Sequence, residues 1–482
     1  ERHHLPLVHV VGTDGRLKNA GELGGLTVEE GRAKAVELLG EAVVKTEEIV
    51  HSVGVCYKCG TVIEPLALEQ WMIKTAPLAA AAVKAIEEGS IEFVPPRFEK
   101  TFFQWMERIR DWNISRQIVW GIPIPAWQCE NDHWNVTVGE PPASCSVCGS
   151  TALERDPDVF DTWFSSGQWP FATLGYPDSE DFKKFYPTSV METGYDILFF
   201  WVARMVMLGL YRTGQVPFRL VFLHGMLRNE GQKMSKSKGN MINPIEVSES
   251  LGTDALRATL LARATPGVDP SISDSELEGY RNFVNKLWNV ARFALARTGQ
   301  ATEPTTADHW IAARLARATR EVNCSLDRYR LDLALSQLYH FVWDDFADWY
   351  LEAAKTDFHQ PTMRVTLETT LKLLHPFIPF VTEEIWSHLG QEQPLIITPW
   401  PETTDLPIDH SKAGQFERHI NETRAERAAS AVAEEKAGLE KYVDELKTRL
   451  ENPGFKEKAS SGAVQAAEQK LREAEARLRE LE

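Results

Sequence analysis

Eight residues, Lys233-Met234-Ser235-Lys236-Ser237-Lys238-Gly239-Asn240, gather three ammonium groups and two hydroxyls with no carboxylate among them. Lysine supplies mobile point charge, Ser235 and Ser237 supply short hydrogen bonds, and Gly239 lets the main chain turn closely. Such a loop suits a polyphosphate. A second chemical group is built on sulfur. Cys145-Ser146-Val147-Cys148-Gly149 is a CxxC knuckle; Cys129 lies upstream of it, and His133 follows Cys129 at a spacing that fits the other half of a site. The pattern predicts zinc held by Cys129, His133, Cys145 and Cys148, three thiolates and one imidazole. Cys56-Tyr57-Lys58-Cys59-Gly60 repeats the knuckle without a partner pair, so Cys56 and Cys59 read as half a site. Cys324 stands alone in an amphipathic helical pattern and is expected to be a small core residue. Paired reduced thiols fit a reducing cytoplasm better than a disulfide scaffold.

The elements around the lysine-rich loop give it a place. Leu220-Val221-Phe222-Leu223 reads as a buried strand just before it, and a helical stretch runs from Pro244 to Leu251 just after. The carboxyl end of a buried strand in an α/β sheet is where phosphates usually bind. At 482 residues the chain allows two to four domains, and no apolar run is long enough to span a bilayer. It begins at Glu1, with nothing resembling a cleavable signal. A net charge of −17 describes the whole surface, whereas a nucleic acid needs only a local basic track, so the sign excludes neither kind of partner. Residues 66–270 alternate apolar strands with helical stretches, an α/β pattern. From about residue 271 the spacing turns helical: Tyr280, Phe283, Leu287 and Val290 recur at three and four residues, and later helices are expected to contain Phe341-Val342-Trp343, Trp349-Tyr350 and His375-Pro376-Phe377-Ile378-Pro379-Phe380. In the tail, Leu439, Val443, Leu446 and Leu450 form one seam. Asn452-Pro453-Gly454-Phe455 breaks it, and Val464, Ala467, Leu471, Ala474, Leu478 and Leu481 form a second. Two such helices about a turn predict an antiparallel coiled-coil hairpin.

The Lys233–Asn240 run resembles the second signature loop of class I aminoacyl-tRNA synthetases. The resemblance extends in order through 111–117 (DWNISRQ), 120–127 (WGIPIPAW), 158–166 (DVFDTWFSS), 193–201 (TGYDILFFW) and 254–257 (DALR). It implies enzymes that join an amino acid to ATP as an adenylate and transfer it to the 3′ end of tRNA. Lys233 and Lys236 would then neutralise the pyrophosphate with magnesium assisting, while Ser235 and Ser237 fix the loop around it. Gly194 and Asp196 match positions near the ATP ribose, and His224 and Gly225 match positions on the adenine side. Trp163 and Trp201 match positions that wall the amino-acid side chain. For the metal, Asp132 stands where relatives often place a cysteine, which makes it the alternative fourth ligand. Among the valine, isoleucine and leucine branches, residues 161–166, 169–175, 194–201 and the tail look most like the valine branch, which implies valine, ATP and tRNA(Val) as partners and a complete enzyme that is monomeric.

The implied fold class is multidomain, α/β followed by all-α. Residues 1–65 resemble the closing part of an editing insertion. Residues 66–270 resemble the second half of a Rossmann-like catalytic domain with a zinc knuckle at about 127–150. A helical anticodon-binding domain is expected at 271–400, a shortened linker at 401–435, and a coiled-coil tRNA-binding arm at 436–482. The family's other ATP signature, His-x-Gly-His, does not occur in this sequence, and the editing aspartate is expected to precede residue 1. The chain therefore reads as the half of an active site that carries the lysine loop, with an N-terminal half as partner in cis or trans. Two rivals follow: an isoleucine enzyme, and a non-catalytic tRNA-binding fragment.

Overall fold

The computed structural model describes residues 8–56, 59–229, 231–234, 241–403, 406–458 and 461–481. They fall into two compact units that interleave along the chain. One comprises residues 1–83, 106–176 and 204–214, the other 84–105, 177–203 and 215–482. The stretch expected as one α/β half-domain, 66–270, is therefore shared between them.

The first unit is built from short antiparallel pieces. Strand Ala126–Cys129 is flanked by Trp134–Val136 and Leu153–Arg155, with Trp127 opposite Asn135 on one side and Arg155 on the other. Met72–Ile73 pairs with Trp112–Asn113, and Ser115–Arg116 pairs with Val159–Phe160. Helix Val28–Leu39 starts at a capping box in which Thr27 and Glu30 exchange side-chain and main-chain hydrogen bonds.

The second unit opens on a parallel sheet in the order Glu92–Val94, Phe218–His224, Thr188–Gly194. Phe218, Leu220, Val221, Phe222 and Leu223 are all buried, as a central strand covered on both faces requires. Between the parallel neighbours Thr188–Gly194 and Phe218–His224 the chain runs through helix Ala203–Thr213, nearly all of which is counted in the first unit; parallel pairing demands such a long connection.

The rest of this unit is helical. Helices Asp274–Ala296, Thr306–Asp327, Leu331–His340, Gln360–Leu374 and Pro379–Ser387 surround one apolar core that includes Phe283, Leu287, Val290, Leu315, Val322, Phe346, Tyr350 and Leu371. Residues Phe341–Tyr350 form a wider π-helical stretch that continues the Leu331–His340 helix.

Three expectations need correction here. Cys324 is exposed: Ala318, Val322 and Ser325 carry the buried seam of its helix, and a residue two after Val322 points away from it. His375–Ile378 is the turn between two helices, because Pro376 and Pro379 prevent a continuous one. The expected linker at 401–435 is mostly helix. Helix His410–Glu451 is unbroken, is capped by Asp409 through the Ser411 and Lys412 N–H groups, and buries Ala413 and Ile420 in the helical core. Trp310 Nε1 donates to Glu417, which ties this helix to Thr306–Asp327.

The tail forms helix Pro453–Lys458 after a break at Asn452, then Ser461–Glu480. Ion pairs Glu435–Arg477 and Lys447–Glu475 set the last helix antiparallel to the 410–451 helix, with Val443, Leu446, Ala467 and Ala474 buried. Among the described residues no helix is long and apolar enough to cross a membrane.

Candidate functional site

The carboxyl ends of two parallel strands bring the first set of candidates together. Register pairs His224 with Gly194, so the last residues of Phe218–His224 and Thr188–Gly194 lie side by side. His224 Nδ1 faces the Gly225 carbonyl at 2.7 Å, and its Nε2 lies 3.3 Å from Glu192. A Cβ on Gly194 would stand 2.8 Å from Asp196 Oδ1 and 3.5 Å from His224 Cε1, so only a glycine lets the two side chains come this near to the strand end. Asp196 is exposed on the short 3₁₀ turn Tyr195–Ile197, where its carboxylate can accept hydrogen bonds from outside. Gly225 has a different reason to be glycine. A Cβ there would sit 1.9 Å from the Val268 carbonyl oxygen and 2.6 Å from the Asp269 nitrogen.

The structure adds a residue that sequence reading passed over. Asp269 accepts from the Tyr195 hydroxyl at 2.8 Å and the Met226 N–H at 2.9 Å on one oxygen. On the other it accepts from Arg228 Nε at 3.1 Å and Nη2 at 2.6 Å. The Arg228 guanidinium, then the Met226 N–H and the Tyr195 hydroxyl, hold its carboxyl down at about 2. The same contact raises the Tyr195 phenol above its usual range. Nothing in Gly267-Val268-Asp269-Pro270 distinguishes this aspartate from that of an ordinary Asp-Pro turn.

Arg228–Asn229 continues from this anchor. It pairs antiparallel with Gln232–Lys233 and parallel with Ser271–Ile272, so Lys233 enters the lysine-rich loop from a defined strand. Ser235, Lys236 and Ser237, with the loop as far as Asn240, lie outside the described residues. Beyond the loop, Asn243 caps helix Pro244–Leu251 through the Ile245 N–H. The Asp254–Arg257 motif then acts as a brace. Buried Asp254 accepts from the Phe380 and Val381 N–H groups at 3.2 and 2.7 Å, and Arg257 donates to the Phe377 and Pro376 carbonyls.

In the first unit, Asp161 organises two of the sequence motifs around itself. It accepts from Trp112 Nε1 at 2.9 Å and from the Trp163 N–H at 3.2 Å, and pairs with Arg116 at 2.9 Å and Arg204 at 3.6 Å. Arg204 stacks over the Trp112 ring at 3.9 Å, and burial brings its guanidinium down to about 10. Trp163 thus lies in the first turn of helix Thr162–Ser166, whose N-terminus is pinned by the buried Asp161 carboxylate. Trp163 and Trp201 are both half-buried; Trp201 stands in the π-helical turn Leu198–Val202 of the other unit.

The four sulfur and nitrogen candidates converge. The ligand atoms of Cys129, His133, Cys145 and Cys148 all lie within 4.8 Å of one another. Cys129 Sγ is 3.7 Å from Cys148 Sγ and 3.6 Å from His133 Nδ1, and Cys145 Sγ is 3.9 Å from the same nitrogen. A metal bound at about 2.3 Å to sulfur and about 2.05 Å to nitrogen, in a regular tetrahedron, sets S···S near ~3.8 Å and S···N near ~3.6 Å. The donor set therefore fits a closed four-ligand metal site. Hydrogen bonding prepares the thiolates: the Asn135 side chain first brings Cys145 down to about 6, and Asn131 lowers Cys148, while burial raises Cys129. Asp132 takes no part. It is exposed at φ +61°, with its carboxylate 3.4 Å from Gln128 Nε2. The Cys56 knuckle closes through Gly60 N–H to Cys56 O at 2.8 Å, and Cys59 Sγ lies 3.3 Å from Thr61 Oγ1; among the described residues no third ligand joins it.

Known proteins resemble the chain along most of its length. A family model described as tRNA synthetases class I (I, L, M and V) matches residues 28–273, and one described as the anticodon-binding domain of tRNA ligase matches residues 308–443. The chain is 44% identical over 433 residues to the valine--tRNA ligase of Dehalococcoides mccartyi, covering 85% of this chain and 49% of that protein. It is 45% identical over 478 residues to that of Carboxydothermus hydrogenoformans, covering 94% and 54%. It therefore spans about half the length of the curated relatives it matches. Among solved structures, Mycobacterium tuberculosis methionyl-tRNA synthetase in complex with methionyl-adenylate superposes with a TM-score of 0.57 at 21% identity, over 75% of this chain and 72% of that one, a likeness of fold.

Proposed function

This chain belongs to the class I tRNA synthetases (I, L, M and V), and from that membership we infer that it takes part in the ATP-dependent joining of valine to tRNA(Val). The observation that carries the reading is the pairing of Gly194 with His224 at the carboxyl ends of two parallel strands, with Asp196 and the base of the lysine-rich loop directly following those strands. Parallel α/β sheets bind nucleotides at that edge. The choice of valine rests on relatives that are valine ligases at 44–45% identity across most of this chain.

The reaction asks mostly for positioning and charge stabilisation. The amino-acid carboxylate attacks the α-phosphorus of ATP, and pyrophosphate leaves with its electron pair. Asp196 accepts from the ribose hydroxyls, and the His224-Gly225 turn lines the base. Lys233 and Lys236 offset the charge that develops on pyrophosphate, and magnesium brought with the nucleotide would add further positive charge. Ser235 and Ser237 hold the loop to it. Trp163 and Trp201, each within its own unit, are separate candidates for an apolar contact with the valine side chain. Residues from 308 onward supply the tRNA-recognition surface, with the antiparallel tail as its outer arm.

Cys129, His133, Cys145 and Cys148 would hold zinc with four protein ligands, and the metal would staple the short strands that carry them. The other half of the active site would come from an N-terminal half, in cis or in trans.

The test is valine-dependent ATP–pyrophosphate exchange, with isoleucine, leucine and threonine as comparators. The chain is assayed alone and with the matching N-terminal half of a relative. Exchange strongest with valine, and lowered far more by Lys236→Ala than valine binding is, supports the reading. Exchange led by isoleucine would replace the substrate, and tight tRNA binding with no exchange under either condition would leave a tRNA-binding protein.

A further inference from the structure

The residues proposed to meet the nucleotide sit on three separate pieces of main chain: the 3₁₀ turn Tyr195–Ile197, the turn after strand Phe218–His224, and strand Arg228–Asn229 at the base of the lysine-rich loop. Each piece is short, three residues or fewer in the 3₁₀ turn and the strand, and Arg228–Asn229 is paired only with the two-residue strands Gln232–Lys233 and Ser271–Ile272. One carboxylate touches all three. Asp269 receives the Tyr195 hydroxyl, the Met226 N–H and both Nε and Nη2 of Arg228. Its own main chain presses against Gly225 so closely that no side chain fits between them.

We propose that Asp269 is a positioning residue for the nucleotide site, fixing the Asp196 turn, the His224-Gly225 turn and the start of the loop strand in one geometry. This rests on the reading of that site as the ATP site. The argument is geometric. Asp196 Oδ1 and His224 Cε1 lie 2.8 and 3.5 Å from where a Gly194 Cβ would stand, so a shift of either turn changes their separation. Tyr195 adjoins Asp196 in sequence, and Met226 lies two residues beyond His224. Holding the Tyr195 hydroxyl and the Met226 N–H on a single oxygen therefore holds the two nucleotide-facing turns at a set separation. The Arg228 fork on the second oxygen fixes the carboxylate plane and prevents Asp269 from rotating to satisfy only one partner. A misplacement of about 1 Å in a positioned site can cost on the order of a hundredfold.

The partners predict a graded series. Asp269→Ala releases all three pieces. Asp269→Asn keeps an acceptor for Tyr195 and Met226 and turns an amide toward Arg228. Tyr195→Phe releases only the Asp196 turn, and Arg228→Gln only the loop strand. Binding of Mg·ATP to the full chain is measured by calorimetry for wild type and the four variants. Thermal unfolding and a phenolate absorbance titration are run on each. We expect Asp269→Ala to weaken ATP binding at least tenfold and Tyr195→Phe about threefold, with Asp269→Asn between them. The Asp269→Ala titration should also lose one phenol from the high-pH end, a signature that general loss of packing would not give. A folded Asp269→Ala protein that binds ATP within twofold of wild type overturns the inference. If that variant does not fold, unchanged ATP binding by both Tyr195→Phe and Arg228→Gln overturns it equally. Absence of ATP binding by the wild-type chain, both alone and with the matching N-terminal half of a relative, overturns the nucleotide reading itself and this inference with it, a result distinct from binding that the variants leave untouched.

Discussion

The metal centre offers a test in which two neighbouring residues must behave oppositely. Sequence reading left His133 and Asp132 as competing fourth ligands; the fold puts His133 Nδ1 3.6 Å from Cys129 Sγ and leaves the Asp132 carboxylate exposed beside Gln128. Zinc binding by small four-ligand sites is worth about 10–16 kcal/mol at neutral pH, so an even share is about 2.5–4 kcal/mol per ligand. At 1.4 kcal/mol per decade, His133→Ala should weaken zinc binding by roughly 10²–10³-fold. Asp132→Asn should change it by less than about threefold, because asparagine tolerates the left-handed backbone at φ +61° and no ligand is lost. Competition against a chromophoric chelator reads both affinities, and native mass spectrometry reads one metal per chain. With zinc saturating, the linkage between binding and folding converts a hundredfold to thousandfold weakening into about 2.7–4.1 kcal/mol of lost stability for the unit that holds the site. Cobalt substitution supplies an independent readout, since loss of the imidazole changes an S₃N ligand field and loss of a remote carboxylate does not. Equal weakening by the two substitutions would refute the ligand assignment. A His133→Ala loss below tenfold would show that Asp132 swings in to replace the imidazole.

Three further outcomes follow from the described contacts. Gly225→Ala should cost about 2–3 kcal/mol and abolish ATP binding, because its Cβ meets main chain at 1.9 Å; Gly214→Ala, with open space but φ +73°, should cost about 1 kcal/mol, and thermal melts compare the two. Asp254→Ala strands two N–H groups at the start of helix Pro379–Ser387, a loss of about 2–4 kcal/mol that hydrogen exchange at the Phe380 and Val381 amides should report as an acceleration of tenfold or more. Asp269, lowered from 3.8 to about 2, contributes stability that is full above about pH 4 and lost as pH falls through about 2. Acid titration of unfolding should therefore be shallower across that window in Asp269→Asn, and an unchanged slope would count against the Arg228 pair.

Much of the architecture was readable because apolar spacing reports burial directly. Leu220–Leu223 falls inside the buried strand Phe218–His224, the helix expected from Pro244 to Leu251 has those bounds, and Phe283, Leu287 and Val290 face the helical core. The cysteine and histidine spacing named four residues whose ligand atoms meet. The same method fails where burial is achieved without a run of large apolar residues. Helix His410–Glu451 packs into the core through Ala413 and Ile420 and through Trp310 and Glu417, while most of its surface is Ala, Glu, Arg and Lys. Such a segment scores as a polar linker although its residues are among the strongest helix formers. Cys324 erred the other way, since a small residue in an amphipathic pattern was assigned to the seam that Val322 and Ser325 already fill.

The bracing residues share one chemistry. Asp254 and Asp269 each place a carboxylate against main-chain N–H groups from a different part of the chain, Asp161 accepts the Trp112 indole N–H from 49 residues away, and Asp161 and Asp269 also hold an arginine. A signature motif is recognisable because its residues face a ligand and must be of one kind in one order. A bracing carboxylate needs only to be acidic and to arrive at the right place, and its partners lie 43 residues away for Asp269 with Met226, and 126 and 127 for Asp254 with Phe380 and Val381. Its identity is therefore written in the fold rather than in local spacing. Short turns that carry ligand-facing residues cannot hold their own shape, so the strength of such a site depends on the carboxylates behind it. Loss of one brace should spread across several contacts at once, and pairs such as Asp269→Asn with Tyr195→Phe should be strongly non-additive. Additive effects in that pair would mean that the turns are held independently and that the shared oxygen is incidental.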